Sequence, residues 1–213
     1  WVVNLAAERM GSAGEGLPEV LLIGDPRLHM ECEKVVLGGA GRAQLEKEVA
    51  LLERVLARFR EKNGFGRAIA APQIGVVKRF IACNLSSLTA RVEEGAGAGT
   101  NVELRGAFTM LNPEITWRSP ETFTLWDDCM SFPWLLVKME RSLSITVTFQ
   151  DLDGRRLVIE RVGQALSELL QHEIDHLHGV LATDKSNVII ARAVYEADKS
   201  YFDAQVNYAI TDC

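Results

Sequence analysis

The chain has 213 residues, 47% hydrophobic and 24% charged, with a formal net charge of −6. That is about 1.4 typical domain lengths, so one domain with a full apolar core is expected and a disordered chain is excluded. No apolar run approaches the ~18 residues of a membrane-spanning helix, and no basic cluster offers footing for a phosphate backbone, so neither membrane nor directly bound nucleic acid is expected as a partner. Four scattered cysteines (Cys32, Cys83, Cys129, Cys213) without a CxxC pair make no disulfide framework and fit a reducing compartment.

The chain opens on Trp1 in place of Met, which reads as a processed or trimmed form, and no intact secretory signal precedes the first motif. Residues 1–17, with Gly11, Gly14 and Gly16, read as a loose arm ahead of a single domain over 18–213. Val20 to Ile23 before Gly24-Asp25-Pro26 predicts a short strand stopped by a turn, and Gly38 to Gly41 predicts a loop. Leu45, Val49, Leu52, Leu56 and Phe59 recur at offsets of 4, 3, 4 and 3, the pattern of an amphipathic helix. Glu46, Glu48, Arg54 and Arg60 fall on its wet face, and Asn63-Gly64 closes it. Strands are predicted at Arg79 to Cys83, Thr109 to Leu111, Ile115 to Arg118, Leu143 to Gln150 and Arg156 to Glu160, with Asp153-Gly154 as a hairpin turn. Residues 92–100, rich in Gly and Ala, read as an insertion between strands. A second helix is predicted from about Gly163 to Leu177. A third is predicted from about Asn187 to Asn207, with Ile190, Ala193, Val194, Ala197 and Phe202 as its apolar side chains. The sum is one α+β domain.

The sharpest chemical feature is His172-Glu173-Ile174-Asp175-His176. Positions i and i+4 share a helix face, so both imidazoles can reach one divalent ion with a glutamate beside it to handle a proton. Two imidazoles leave the site incomplete. A third histidine six residues past His176 is absent, because that position is Ala182. The remaining candidates are Glu196, twenty residues past His176, as in a thermolysin-like peptidase, and the thiolate of Cys129.

Three segments taken together, Gly66-Arg67-Ala68-Ile69-Ala70-Ala71-Pro72-Gln73, Trp126-Asp127-Asp128-Cys129-Met130-Ser131 and Gln171-His172-Glu173-Ile174-Asp175-His176, resemble the peptide deformylase family. That family carries GxGxAAPQ, EGCLS and QHExDH in this order. Asp25-Pro26-Arg27-Leu28 and Asn112-Pro113 add to the likeness, which spans about residues 18–185. The resemblance implies an α+β fold of mixed or antiparallel strands packed around a metal-binding helix. It implies Cys129, His172 and His176 as metal ligands, with the fourth position left to water. Fe(II) is the favoured ion, and Zn, Ni or Co fit the same donors. Hydroxide formed there would attack the formyl carbon of an N-formylmethionyl peptide, met at the ribosome as a nascent chain, and release formate. Glu173 would carry the proton to the leaving amine, while Gln73 and the Met130 backbone N–H stabilise the oxyanion.

The departures from the family pattern fall in the expected substrate groove of Gly66, Ala68, Asp128, Glu168 and Leu169. Ala68 replaces the second glycine of GxGxAAPQ. Asp127-Asp128 replaces Glu-Gly ahead of the cysteine, and Met130 replaces its leucine. Asp127 is expected to keep the glutamate's part by pairing with Arg141. Glu168 lies on the His172 face of the helix, where the family lines its methionine pocket with apolar groups. The carboxylate is expected either to bend to solvent or to a nearby arginine, or to turn inward, where it would weaken methionine binding and favour a cationic first side chain. The alternatives to a deformylase are a divergent paralogue with altered substrate or low activity, and a thermolysin-like metallopeptidase. The altered motifs, the insertion and the arm favour a eukaryotic organelle, the mitochondrion, over bacterial cytoplasm. The oligomeric state is left open.

Overall fold

The computed structural model describes residues 16–93 and 99–208. The expected arm falls outside these apart from Gly16 and Leu17, as does the centre of the Gly/Ala-rich insertion, residues 94–98. Helix α1 (Arg42–Asn63) ends at Gly64, whose left-handed φ of 76° lets its N–H bond Arg60 O at 2.8 Å. Its buried stripe is Leu45, Val49, Leu52, Val55 and Leu56, with Phe59 edge-on to Phe65.

Five antiparallel strands follow one another in space as β1 (Ala68–Ala70), β2 (Phe80–Val92), β3 (Asn101–Arg118), β6 (Ile145–Gln150) and β7 (Arg156–Ile159). The far end of β2 also pairs with β7, at Arg91–Val158 and Val92–Leu157, so this sheet curls back on itself. The period of two divides its residues between two cores. Ile81, Cys83, Ala68 and Ala70 pack with helix α2 (Gln164–Leu177), whereas Phe80, Ala82 and Ile69 pack with α1. A second sheet of β4 (Thr122–Asp127), β5 (Leu135–Ser142) and β8 (Ile189–Ala191) encloses a third core around Phe132, Leu125 and Val137. Helix α2 thus lies between β1 and the second sheet. None of the described helices is long and apolar enough to cross a membrane.

The α+β class is as expected, but several elements are not. Val20 to Ile23 forms no strand. Its N–H groups bond outside any ladder instead, Leu21 to Gln73 O at 2.8 Å and Ile23 to Ser131 O at 2.9 Å. The two strands expected over 109–118 are one, bent at Asn112, whose φ is +49°. The strand expected from Leu143 begins at Ile145, while β1, β4 and β5 were not anticipated. The third helix is the largest correction. Past the short helix α3 (Ala182–Lys185), Ile189–Ala191 pairs with the β5 edge, followed by two short helices, α4 (Arg192–Ala197) and α5 (Lys199–Asp203). The β-branched run Val188-Ile189-Ile190 suits a strand. Asp198, at φ −146° and ψ 64°, breaks the helical path and caps α5 by accepting from Tyr201 N.

Candidate active site

Helix α2 presents Glu168, Leu169, His172, Glu173 and His176 from consecutive turns. It is anchored from behind by Gln171, whose Oε1 accepts from Arg118 Nη1 at 2.7 Å and from Ser142 N at 3.1 Å, while its Nε2 donates to Ser142 O at 3.0 Å. Ser167 Oγ adds a 2.7 Å bond to the same carbonyl. Beyond the helix, Gly179 turns the chain at φ +68°, with His29 Nδ1 3.2 Å from its carbonyl.

Cys129 arrives from the other side, two residues past β4. Its Sγ lies 3.3 Å from His176 Nε2, which is 3.2 Å from His172 Nε2. One ligand atom from each of these three buried residues lies within 4.8 Å of the others. A thiolate with two imidazole nitrogens suits a borderline-soft divalent ion rather than Mg²⁺ or Ca²⁺ and leaves an open coordination position, so the residues fit the metal that the motifs imply. The orientation is built in. Asp127 Oδ2 faces His172 Nδ1 at 3.2 Å, which turns Nε2 toward the cluster. The same Oδ2 accepts from Arg141 Nη2 at 2.6 Å and Nε at 3.2 Å, and Arg141 Nη1 reaches Asp175 at 3.0 Å. The shorter acid therefore does reach its arginine.

Glu173 Oε2 is buried without a hydrogen-bond partner beside this cluster, as is His176 Nδ1. Gln73 sits on the 3-10 turn Ala71–Ile74. Its Oε1 accepts from Ala70 N at 2.9 Å, which aims Nε2 at Ser131 Oγ (3.2 Å) and Cys129 Sγ (3.6 Å). Ser131 N donates to Cys129 Sγ and Phe132 N to Cys129 O, and neither bond uses the Met130 N–H.

Charge follows burial. Burial raises Asp127, but His172 and Arg141 outweigh it and hold the carboxyl well below the usual range. Burial pushes Glu173 up to about 7 against the pull of His172, and Glu168 up to about 7 against the pull of Arg67. Burial and the neighbouring His172 push His176 well down, whereas Asp127 and Cys129 overcome burial at His172 and raise it.

One cavity of about 50 Å³ beside the cluster brings together every expected groove residue, Gly66, Ala68, Asp128, Glu168 and Leu169, with Gln73, Asp127, Cys129, Met130, His172 and Glu173. Two arginines pair with its carboxylates: Arg67 lines the cavity, and Arg192 reaches Asp128 from α4. Arg67 bonds Glu168, and Arg192 Nη2 bonds Asp128 Oδ2 at 2.8 Å while its guanidinium lies 5.0 Å from the Phe65 ring. The signal for Arg67 was the need of a buried carboxylate for a cation; Arg192 had none, because it is brought there by the long-range pairing of β8 with β5 just before it. Glu196 is exposed on α4 and outside the ligand group, so the thermolysin-like donor set does not assemble.

Donors of this kind beside a buried carboxyl group fit the class of metal-dependent hydrolases. Comparison with known proteins narrows the class: the polypeptide deformylase family model matches residues 17–190, and the chain belongs to that family. It is 36% identical over 167 residues to the peptide deformylase of Thermomicrobium roseum, covering 78% of this chain and 84% of that one. The chloroplastic peptide deformylase 1A of Solanum lycopersicum is 26% identical over 201 residues, 93% of this chain and 68% of that one. The structure of the Thermotoga maritima peptide deformylase aligns with a TM-score of 0.60 at 28% identity, covering 80% of this chain and 97% of that chain.

Proposed function

We propose that Cys129, His172 and His176 hold one divalent metal, Fe(II) in the resident state, and that Glu173, Gln73 and the Met130 N–H act around it in deformylation. The activity itself is that of the family: removal of the N-formyl group from nascent peptides, with release of formate. The observation that carries the assignment of roles is the convergence of the three donor atoms within 4.8 Å next to an unpartnered, buried Glu173 Oε2.

A metal held there lowers the pKa of bound water and polarises the formyl oxygen. The protein does the rest. Glu173 takes a proton from water and returns it to the departing amine, a task suited to a carboxyl raised toward neutrality by burial. Gln73 Nε2, held by the Ala70 N–H, donates to the oxygen on which negative charge develops, together with the Met130 N–H. Asp127, locked by Arg141, keeps His172 in the ligating tautomer. The chloroplastic relative supports an organelle matrix as the compartment, with formylated nascent chains at the ribosome as partner. The test is formate release from formylated tripeptides, formyl-Met-Ala-Ser first, by anaerobically prepared, iron-loaded protein. Glu173→Gln is expected to retain the metal and lose ~10²–10⁴-fold in kcat. A variant with near wild-type turnover refutes the role of Glu173.

A further inference from the structure

The formyl carbon must sit at the donor cluster, and the first residue's Cα is attached to the nitrogen being released. Its side chain therefore enters the cavity that shares Cys129, His172 and Glu173 as walls. Apart from the donors, Gln73 and Glu173, the walls there are apolar at Phe65, Met130 and Leu169, and charged at Arg67, Asp127, Asp128 and Glu168, with Asp127 held by Arg141. Glu168 is 2% exposed. Arg67 bonds its Oε1 through Nη2 and donates from Nη1 to Ala165 O at 3.0 Å, so the guanidinium links the Gly66–Ala68 segment to α2. Asp128 is held by Arg192.

Glu168 and Asp128 are thus each met by an arginine, so this stretch of wall offers paired charges rather than a lone carboxylate. This removes the ground for a cationic first side chain that a lone Glu168 would have supplied. A thioether laid against the pair strips water from Arg67 and Glu168 and returns no hydrogen bond. A carboxamide of the same length returns both: its oxygen accepts from one of the five guanidinium N–H groups, and its NH₂ donates to the carboxylate. A lysine would compete with Arg67 for Glu168, and a glutamate would be repelled by it.

We propose that the Arg67–Glu168 pair sets the specificity of this site, selecting formylated N-termini whose first side chain is neutral, polar and of methionine's length over methionine itself. Methionine sulfoxide, the oxidised form of a formyl-methionine initiator, belongs to this class. The proposal rests on the deformylase reading above.

The test measures kcat/KM for formyl-Gln-Ala-Ser and formyl-Met-Ala-Ser on one metal-loaded preparation, where the ratio cancels the active fraction. Glutamine is expected to be favoured about tenfold, and the ratio to fall by about tenfold or more in Arg67→Leu/Glu168→Leu. Calorimetric binding of the products Gln-Ala-Ser and Met-Ala-Ser makes the same comparison without turnover. Tighter Gln-Ala-Ser with no formate released from either formyl peptide keeps the inference and overturns the deformylase reading. A wild-type preference for methionine, in turnover or in binding, overturns the inference alone. So does a glutamine preference that survives in the double variant, because its source then lies elsewhere.

Discussion

Replacing Arg141 by methionine removes the cation that Asp127 and Asp175 share. Asp175 keeps Lys185 at 2.6 Å and is less enclosed, so its loss is small. Asp127 is different: it is 2% exposed, Arg141 is 4% exposed, and two of the arginine's bonds, at 2.6 and 3.2 Å, end on Asp127 Oδ2. Removing one partner of such a buried pair costs about 3–5 kcal/mol, because the remaining charge is left in a site that water does not reach. At ~2–4 °C per kcal/mol for a domain of this size, Tm should fall by about 6–20 °C. The assay is thermal and urea unfolding of metal-loaded protein at one fixed metal concentration, since bound metal shifts apparent stability by mass action. Arg155→Met is the control. Its 2.7 Å pair with Asp151 is on the surface, with the arginine side chain 53% exposed, so it should cost no more than about 1 kcal/mol. Adding Asp127→Asn to Arg141→Met should restore part of the loss by removing the stranded charge. A shift in Arg141→Met no larger than in Arg155→Met refutes the reasoning.

Cys129→Ala and His176→Ala should each abolish stoichiometric metal binding by elemental analysis while Glu196→Ala retains it; the reverse result would make Glu196 the ligand. Gly179→Ala should destabilise more than Gly154→Ala. Both have left-handed φ, at 68° and 82°, costing about 1–2 kcal/mol, but a Cβ at Gly179 would lie 2.6 Å from His29 backbone atoms, whereas at Gly154 the nearest atom is a Leu37 methyl at 3.5 Å. Equal urea midpoints for the two would count against the close packing of the α2 terminus. Burial pushes the Cys32 thiol up to about 11 and Cys83 higher still, so iodoacetamide at pH 8 should leave both unmodified in the native protein. Peptide mass mapping that finds either labelled as fast as in unfolded protein contradicts their burial.

Local periodicity made α1 and α2 legible, because a helix is built from contacts three and four residues apart. The HExxH spacing placed both imidazoles on one face, and Gly64 marked the end of α1. The partnership of Asp127 with Arg141 was reached through the family resemblance, while the paired strands β4 and β5 that bring the two together were not anticipated. What lay beyond was whatever depends on distant chain closing in. The strand Ala68–Ala70 is three residues long and exists through its pairing with β2. Ile189–Ala191 reads as part of an apolar helix until the β5 edge offers it unpaired backbone groups. Glu168 could be placed on the His172 face by counting 100° per residue, but its charge state and its meaning for substrate depend on Arg67, one hundred and one residues away. The sequence by itself determined the donor types, their helical spacing and the chemistry they can support. Only the tertiary structure decided which buried charges meet, because an ion pair in a dry site is set by the packing of whole elements rather than by neighbours along the chain.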